Sequence, residues 1–207
     1  MRFSIIIPAY NSYRYISKAL ESVKNQSFTD YELLVICDSC TDSTQKKAQY
    51  FGAKTVKVDF HKEGLTKNVG IDLAQGEYIL FIDDDDWLLH EFVLEQIDEK
   101  LRQENDPDIL CFSFIFKGIG YAPPIRKSCN EHWIATWNKA WKRDAIGDTR
   151  FPDIFSTSDR PFNDTMLKEK NLRIVDWDMP MYYYNYLREG SISQQSGRSI
   201  RLTRECL

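Results

Sequence analysis

The sequence lacks several features that would have placed it at once. No apolar run approaches the ~20 residues that a membrane-spanning helix needs. The opening Met1-Arg2-Phe3-Ser4-Ile5 has no long apolar region, so it does not read as a secretory signal. No long basic cluster occurs and the net charge is −4, which leaves a nucleic-acid partner without an electrostatic footing. Cysteine is sparse and odd in number, at Cys37, Cys40, Cys111, Cys129 and Cys206. That pattern argues against a disulfide framework and predicts reduced thiols in a cytoplasm. Internal repeats and low-complexity tracts are missing too.

What is present is a core-forming composition. With 207 residues, 43% of them hydrophobic and 14% aromatic, the chain suits one domain or one domain with a small addition. Residues 3–7, 31–37, 55–58, 78–82 and 109–116 are apolar runs that predict strands. Between them lie helix-like segments. The first has Ile16, Ala19, Leu20 and Val23 at i, i+3, i+4 and i+7, with Asn11 or Ser12 as cap. Residues 43–50, 64–74 (stopped by Gly76) and 90–101 are predicted helices as well. Strand and helix alternate through the first ~115 residues, which predicts a doubly wound α/β fold with a mainly parallel sheet and helices on both faces. Gly118, Gly120, Pro123 and Pro124 mark a loop between two portions, 1–117 and 118–207. In the smaller second portion, 133–141 and 162–170 are expected to be helical, and 172–175 and 182–186 to be strands. The end, 198–207, is a polar tail or the start of a helix.

The most unusual stretch is Ile79-Leu80-Phe81-Ile82-Asp83-Asp84-Asp85-Asp86-Trp87. A buried strand runs into four carboxylates at its C-terminal end, where open α/β sheets bind ligands. Adjacent like charges raise one another's pKa unless a cation intervenes. In an extended chain Asp83 and Asp85 point to one side and Asp84 to the other, a set of hard oxygen ligands suited to Mg²⁺ or Mn²⁺. The alternative is that Asp84 or Asp86 only caps the next helix. Pro8-Ala9-Tyr10-Asn11 and Asp38 also follow predicted strands, so the topology brings all three clusters to one crevice. There a tyrosine ring can stack and a carboxylate can accept from a nucleoside.

These stretches resemble the opening motifs of family 2 glycosyltransferases of the GT-A fold. The match runs through Ser4-Ile5-Ile6-Ile7-Pro8-Ala9-Tyr10-Asn11, then Leu33-Leu34-Val35-Ile36-Cys37-Asp38-Ser39-Cys40-Thr41-Asp42-Ser43. It continues in order at Gly64-Leu65-Thr66-Lys67-Asn68-Val69-Gly70-Ile71 and at Gly76 to Trp87. It resumes at Trp137-Asn138-Lys139, at Ser158-Asp159-Arg160-Pro161-Phe162 and at Arg188-Glu189-Gly190-Ser191-Ile192. The resemblance implies a metal-dependent inverting transferase that moves a sugar from a nucleoside diphosphate, most readily UDP, to an acceptor hydroxyl. The acceptor would be a glycan or lipid-linked chain in surface polysaccharide synthesis, with membrane contact at most peripheral, at the inner face.

By position, the resemblance assigns Pro8, Ala9, Tyr10, Asn11, Asp38, Lys67, Asp83 and Asp84 to the nucleotide. It assigns Asp85, with Asp83, to Mn²⁺ or Mg²⁺, and Trp137, Asn138 and Arg188 to the acceptor or sugar pocket. Asp159 is assigned as the base and Asp164 is a fallback. Read without the resemblance, Asp159 is equally a helix cap before Pro161, Trp137 an aromatic at a sheet edge and Arg188 a solvated cation. Two departures stand out: Cys37 and Ser158 each replace a carboxylate that the family usually carries. They leave open a degenerate or truncated domain that binds nucleotide or partner without turnover. A sugar-1-phosphate nucleotidyltransferase would carry a Gly-rich loop with Arg where Pro8 to Asn11 stand. A zinc site from Cys37-x-x-Cys40 and Cys129-x-x-His132 is disfavoured, because Cys37 ends a buried strand.

Overall fold

The computed structural model describes residues 1–126, 131–155 and 157–185. In chain order the elements are β1 (Phe3–Ala9), α1 (Ser17–Lys24), β2 (Tyr31–Asp38), α2 (Thr44–Tyr50), β3 (Lys54–Val58) and α3 (Glu63–Leu73). Then come β4 (Tyr78–Phe81), β5 (Trp87–Leu88), α4 (Val93–Gln103), β6 (Ile109–Phe116) and β7 (Gly120–Ala122). The remainder is β8 (Ile125–Arg126), β9 (Glu131–His132), β10 (Lys139–Lys142), α5 (Arg143–Ile146), α6 (Asp159–Asp164), a π-helical turn (Thr165–Glu169) and β11 (Ile174–Tyr184).

Among the described residues one sheet runs in the order β3-β2-β1-β4-β10-β6-β11-β5, with β7 beside β6. The first four strands are parallel, as the alternation of strand and helix demands. β10 is inserted antiparallel between β4 and β6, so the sheet is mixed, and strands from both portions of the chain share it. β1 is apolar throughout because both its faces are covered. Ile5 and Ile7 pack with α1 and α4 residues such as Leu20, Val23, Leu94 and Ile97. Ile6 packs on the other face with Ile71, Trp141 and Phe162. Each such fully buried side chain contributes about 2 kcal/mol.

Close approach positions the helix that matters most. A Cβ on Gly70 would lie 2.4 Å from Ile6 Cγ2, so α3 sits against β1 only because that position is bare. At the other end of α3, a Cβ on Gly64 would lie 2.8 Å from Ser158 Cβ. The small pair Gly64 and Ser158 thus brings the starts of α3 and α6 together.

Several local expectations are corrected. β1 continues through Pro8 to Ala9, because Pro8 is register partner to Ile36 without breaking the strand. Neither Asn11 nor Ser12 caps α1, which starts at Ser17 with no side-chain cap. Residues 133–141 are not a helix: β10 occupies the end of that stretch and pairs on both sides. The expected loop at 118–129 contains β7, which folds back on β6. The two short C-terminal strands are one strand, β11, with register shifts on either side of Pro180. Residues 198–207 lie outside the described residues.

Candidate active site

The ends of β1, β2 and β4 meet in one crevice, and strained backbone marks it. Asn11, Ser39 and His61 all have positive φ, at 47°, 51° and 51°. Left-handed backbone is uncommon in non-glycine residues and concentrates where a site over-determines it. Tyr10 is exposed, its ring 5.9 Å from that of His61, and its N–H donates to Asp84 Oδ2 at 3.3 Å. That bond ties the end of β1 to the aspartate run. Asn11 Oδ1 accepts from Thr41 N at 2.8 Å and from Asp42 N at 3.3 Å, holding the loop after β2. Of the quartet expected at the nucleotide, Pro8 and Ala9 are buried at the end of β1, while Tyr10 and Asn11 are exposed.

Asp38, expected to contact the nucleoside, is largely engaged by the protein itself. Its oxygens accept from Phe60 N (2.7 Å), His61 N (3.0 Å), Lys62 N (2.9 Å), Thr66 Oγ1 (2.9 Å) and Ser39 Oγ (3.0 Å). The three backbone N–H donors occupy three of the carboxylate's roughly four lone-pair sites, and the Ser39 and Thr66 hydroxyls, which also reach Asp59 Oδ1 and Lys62 O, compete for the rest. Burial pushes the Asp38 pKa up, but the N–H donors of His61, Phe60 and Lys62 outweigh it and hold the group below its usual range. Asp38 shapes the loop that presents His61, a rim residue that no motif had pointed to.

The aspartate run is a turn, not an extended strand: Asp86 N donates to Asp83 O at 3.1 Å. The alternation expected for Asp83, Asp84 and Asp85 therefore does not apply. Asp86, expected as a helix cap, is fully buried and accepts from Tyr182 Oη at 2.8 Å and Asn185 N at 2.8 Å. The Tyr182 hydroxyl in turn accepts from Asp83 N at 3.1 Å. Trp137 stacks on Tyr182 with centroids 4.6 Å apart and planes 9° from parallel. Trp137 is thus a buttress under the turn, and Asn138 is wholly buried with its amide on Phe112 O and Lys139 Nζ. Their assignment to a ligand pocket is corrected accordingly: Asn138 has no surface for a ligand and Trp137 almost none.

A divalent cation fits this turn. Asp83 Oδ1 is buried with no hydrogen-bond partner among the described residues, an arrangement that costs free energy unless something fills it. Burial, then Glu63, Asp159 and Asp85, push the Asp83 pKa well up against the pull of Lys67. Burial, then Asp83 and Asp85, do the same to Asp86. A hard carboxylate oxygen left unpartnered at this turn suits Mg²⁺ or Mn²⁺ as one of its ligands.

Lys67, expected at the nucleotide, is held by protein groups. It is fully buried, with Nζ 2.5 Å from Glu63 Oε1, 2.9 Å from Asp159 Oδ1 and 3.2 Å from Thr136 Oγ1. Burial pulls its ammonium down, but Asp159, Glu63 and Asp83 outweigh that and raise its pKa above the ordinary value. Asp159 is the first residue of α6. Its Oδ2 accepts from Thr136 N and Thr136 Oγ1, each at 3.3 Å, and its side chain is 22% exposed. Asp159 therefore holds a fixed orientation while keeping an open edge. Glu63 was the missed partner, although its i,i+4 spacing from Lys67 is legible.

Asp164, the fallback base, pairs with Lys168 at 2.9 Å. Arg188 lies outside the described residues, as does Cys129. Cys37 is buried in the core, and Cys40 Sγ donates to Ala9 O at 3.3 Å. Among the described residues no helix is long and apolar enough to cross a membrane.

Comparison with known proteins bears on all of this. The model of the family described as Glycosyl transferase family 2 matches residues 4–164. A poly(ribitol-phosphate) beta-glucosyltransferase of Bacillus spizizenii is 37% identical over 92% of this chain and 33% of its own length. The putative glycosyltransferase EpsH of Bacillus subtilis is 27% identical over 69% of this chain and 47% of its own. The crystal structure of S. aureus TarS 1–349 in complex with UDP-GlcNAc superposes with a TM-score of 0.80, at 26% identity, over 92% of this chain and 60% of that one. The chain thus spans a third to a half of the length of these two curated relatives.

Proposed function

The chain belongs to glycosyl transferase family 2, and from that premise we propose that it transfers a sugar from a UDP-linked donor to an acceptor hydroxyl with inversion. The observation that carries this reading is the convergence on Lys67. The candidate base Asp159 lies 2.9 Å from the buried Lys67 ammonium, whose charge also bears on Asp83 of the acidic turn, which supports placing both in one site. The UDP-GlcNAc complex of TarS supports the choice of nucleotide.

In this reading Tyr10 and Asn11 border the nucleoside, with Asp84 beside the ribose. Asp85 and Asp83 would hold Mn²⁺ or Mg²⁺, which when bound neutralises charge on the departing diphosphate. Asp159 accepts the proton of the acceptor hydroxyl as that oxygen attacks the anomeric carbon, and the bond from that carbon to the diphosphate breaks on the opposite face. Inversion needs only one such base. Lys67 and Thr136 fix the Asp159 carboxylate against rotation, so the productive geometry exists before the acceptor arrives. The π-stacked pair Trp137 and Tyr182 holds the acidic turn in place.

The two portions, 1–117 and 118–207, then divide the work: the first carries the donor site, the second the base and acceptor side. The acceptor is proposed as a hydroxyl of a surface glycan or lipid-linked chain, in keeping with relatives named for poly(ribitol-phosphate). Work in the cytoplasm, at the inner face of a membrane when the acceptor is lipid-linked, is part of the same proposal. Calorimetric titration with UDP in the presence of Mn²⁺ tests the donor half. Binding by the wild type that weakens at least ~10-fold in Asp85→Asn supports it, and no UDP binding by the folded wild type overturns it.

A further inference from the structure

Away from the acidic turn, a second group of side chains has a different chemistry. Lys139, Cys111 and Asp176 are register partners on β10, β6 and β11. Neighbouring residues in such a row share one face of a sheet. Over that row lies His132 of β9, with Nε2 2.7 Å from Asp176 Oδ1. The thiol of Cys111, an imidazole nitrogen of His132 and a carboxylate oxygen of Asp176 all lie within 4.8 Å of one another.

We propose that Cys111, His132 and Asp176 form a Zn²⁺ site that fastens the β8–β9 hairpin to the sheet. The donor set selects the ion: thiolate with imidazole favours zinc, whereas the all-oxygen turn at Asp83 to Asp86 favours Mg²⁺ or Mn²⁺. Charge agrees as well. One thiolate, one carboxylate and a neutral imidazole offset the two positive charges of the ion, while the neighbouring Lys139 ammonium is held separately by Trp133 O, Ala135 O and Asn138 Oδ1. Zinc bond lengths of about 2.0–2.3 Å place tetrahedral ligand atoms roughly 3.3–3.8 Å apart. The three atoms, all within 4.8 Å of one another and with His132 and Asp176 now 2.7 Å apart, reach that spacing by side-chain shifts of about an ångström. Both are partly solvent-accessible, at 22% and 35%, so an ion has an entry path. Three protein ligands leave a fourth position for water.

The ion would act on the segment that orients the proposed base. Following His132, the carbonyls of Trp133 and Ala135 accept from Lys139 Nζ at 2.8 and 2.7 Å. Ile134 O accepts from Asn163 Nδ2 at 2.6 Å, and Thr136 holds Asp159. Anchoring His132 therefore anchors the strand of contacts that ends on Asp159. Without an ion, His132 and Asp176 pair directly at 2.7 Å, with the Cys111 thiol beside them.

Cobalt(II) added to the metal-free full chain separates the two cases, because a thiolate ligand gives a near-ultraviolet charge-transfer band. The proposal expects that band, bleached by one equivalent of Zn²⁺, in the wild type and unchanged in Asp85→Asn. It expects the band to vanish in Cys111→Ser and the affinity to fall at least ~10-fold in His132→Asn, a partly exposed position where folding is retained. No thiolate band in the wild type overturns the proposal. So does an undiminished band in folded Cys111→Ser, which assigns the sulfur to another cysteine, and so does an unchanged affinity in His132→Asn.

Discussion

Lys67 Nζ lies 2.9 Å from Asp159 Oδ1, and no part of Lys67 reaches solvent. This contact joins the N-terminal half of α3 to the first turn of α6. It depends on Gly64 and Ser158 being small enough to let those segments meet. The Ser158 departure from the family's usual carboxylate thus has a packing counterpart in this chain. With Glu63 also 2.5 Å from the ammonium, a single cation serves two carboxylates.

Lys67→Met leaves Glu63 and Asp159 facing each other around an apolar side chain. Removing one partner of a buried pair costs about 3–5 kcal/mol. For a chain of this size the melting temperature should fall by roughly 6–20 °C, measured by calorimetry. A fall of a degree or less would mean that Lys67 does not hold α3 to α6.

Tyr182→Phe removes the hydroxyl that links Asp83 N to the Asp86 carboxylate. Leaving Asp83 N and a buried Asp86 oxygen short of a partner costs about 1–3 kcal/mol. The variant should lose that much stability in urea titrations with no change of slope, because the stacked ring on Trp137 remains. Unaltered stability would show that Asn185 alone satisfies Asp86.

Acid stability should depend on Asp38. Its folded pKa lies below the unfolded value of about 3.9. The unfolded chain therefore takes up the proton first as pH drops. The contribution of Asp38 is fully present above the unfolded pKa and is lost as pH falls through the depressed folded value. Asp38→Asn should be less stable at pH 7 and show a shallower decline between about pH 5 and pH 2 than the wild type. Glu32, Asp42 and Glu104, depressed in the same sense by their hydrogen-bond partners, remain in both proteins and contribute the residual slope. Parallel acid limbs for the two proteins would contradict the placement of Asp38.

Some of this was legible in the sequence and some was not, for identifiable reasons. β6 was read to the residue because an unbroken apolar run has few other uses. The crevice followed from the rule that strand ends carry ligands, and Tyr10, Asn11 and the aspartate run do meet there. β10 was missed because Trp133, Trp137 and Trp141 are spaced by four, which imitates a helical face, while two lysines flank the buried pair Ala140 and Trp141. Lys67 and Asp38 were read as ligand contacts because a lone polar residue carries no mark of its own burial. Only the fold shows that Glu63, Asp159 and the 60–62 backbone already occupy them. The turn at Asp83 to Asp86 escaped because a run of identical residues has no alternation to read.

The most direct test measures UDP release from UDP-glucose and UDP-GlcNAc with Mn²⁺ present and water as acceptor, in parallel with UDP affinity, for the wild type and Asp159→Asn. The account predicts release by the wild type with at least one donor. In Asp159→Asn it predicts a loss of at least ~100-fold in rate, the lower end of what a general base supplies, with UDP affinity unchanged within a factor of ~3. Equal release by both proteins, or loss of UDP binding together with release in the variant, would contradict the assignment of Asp159 as the base.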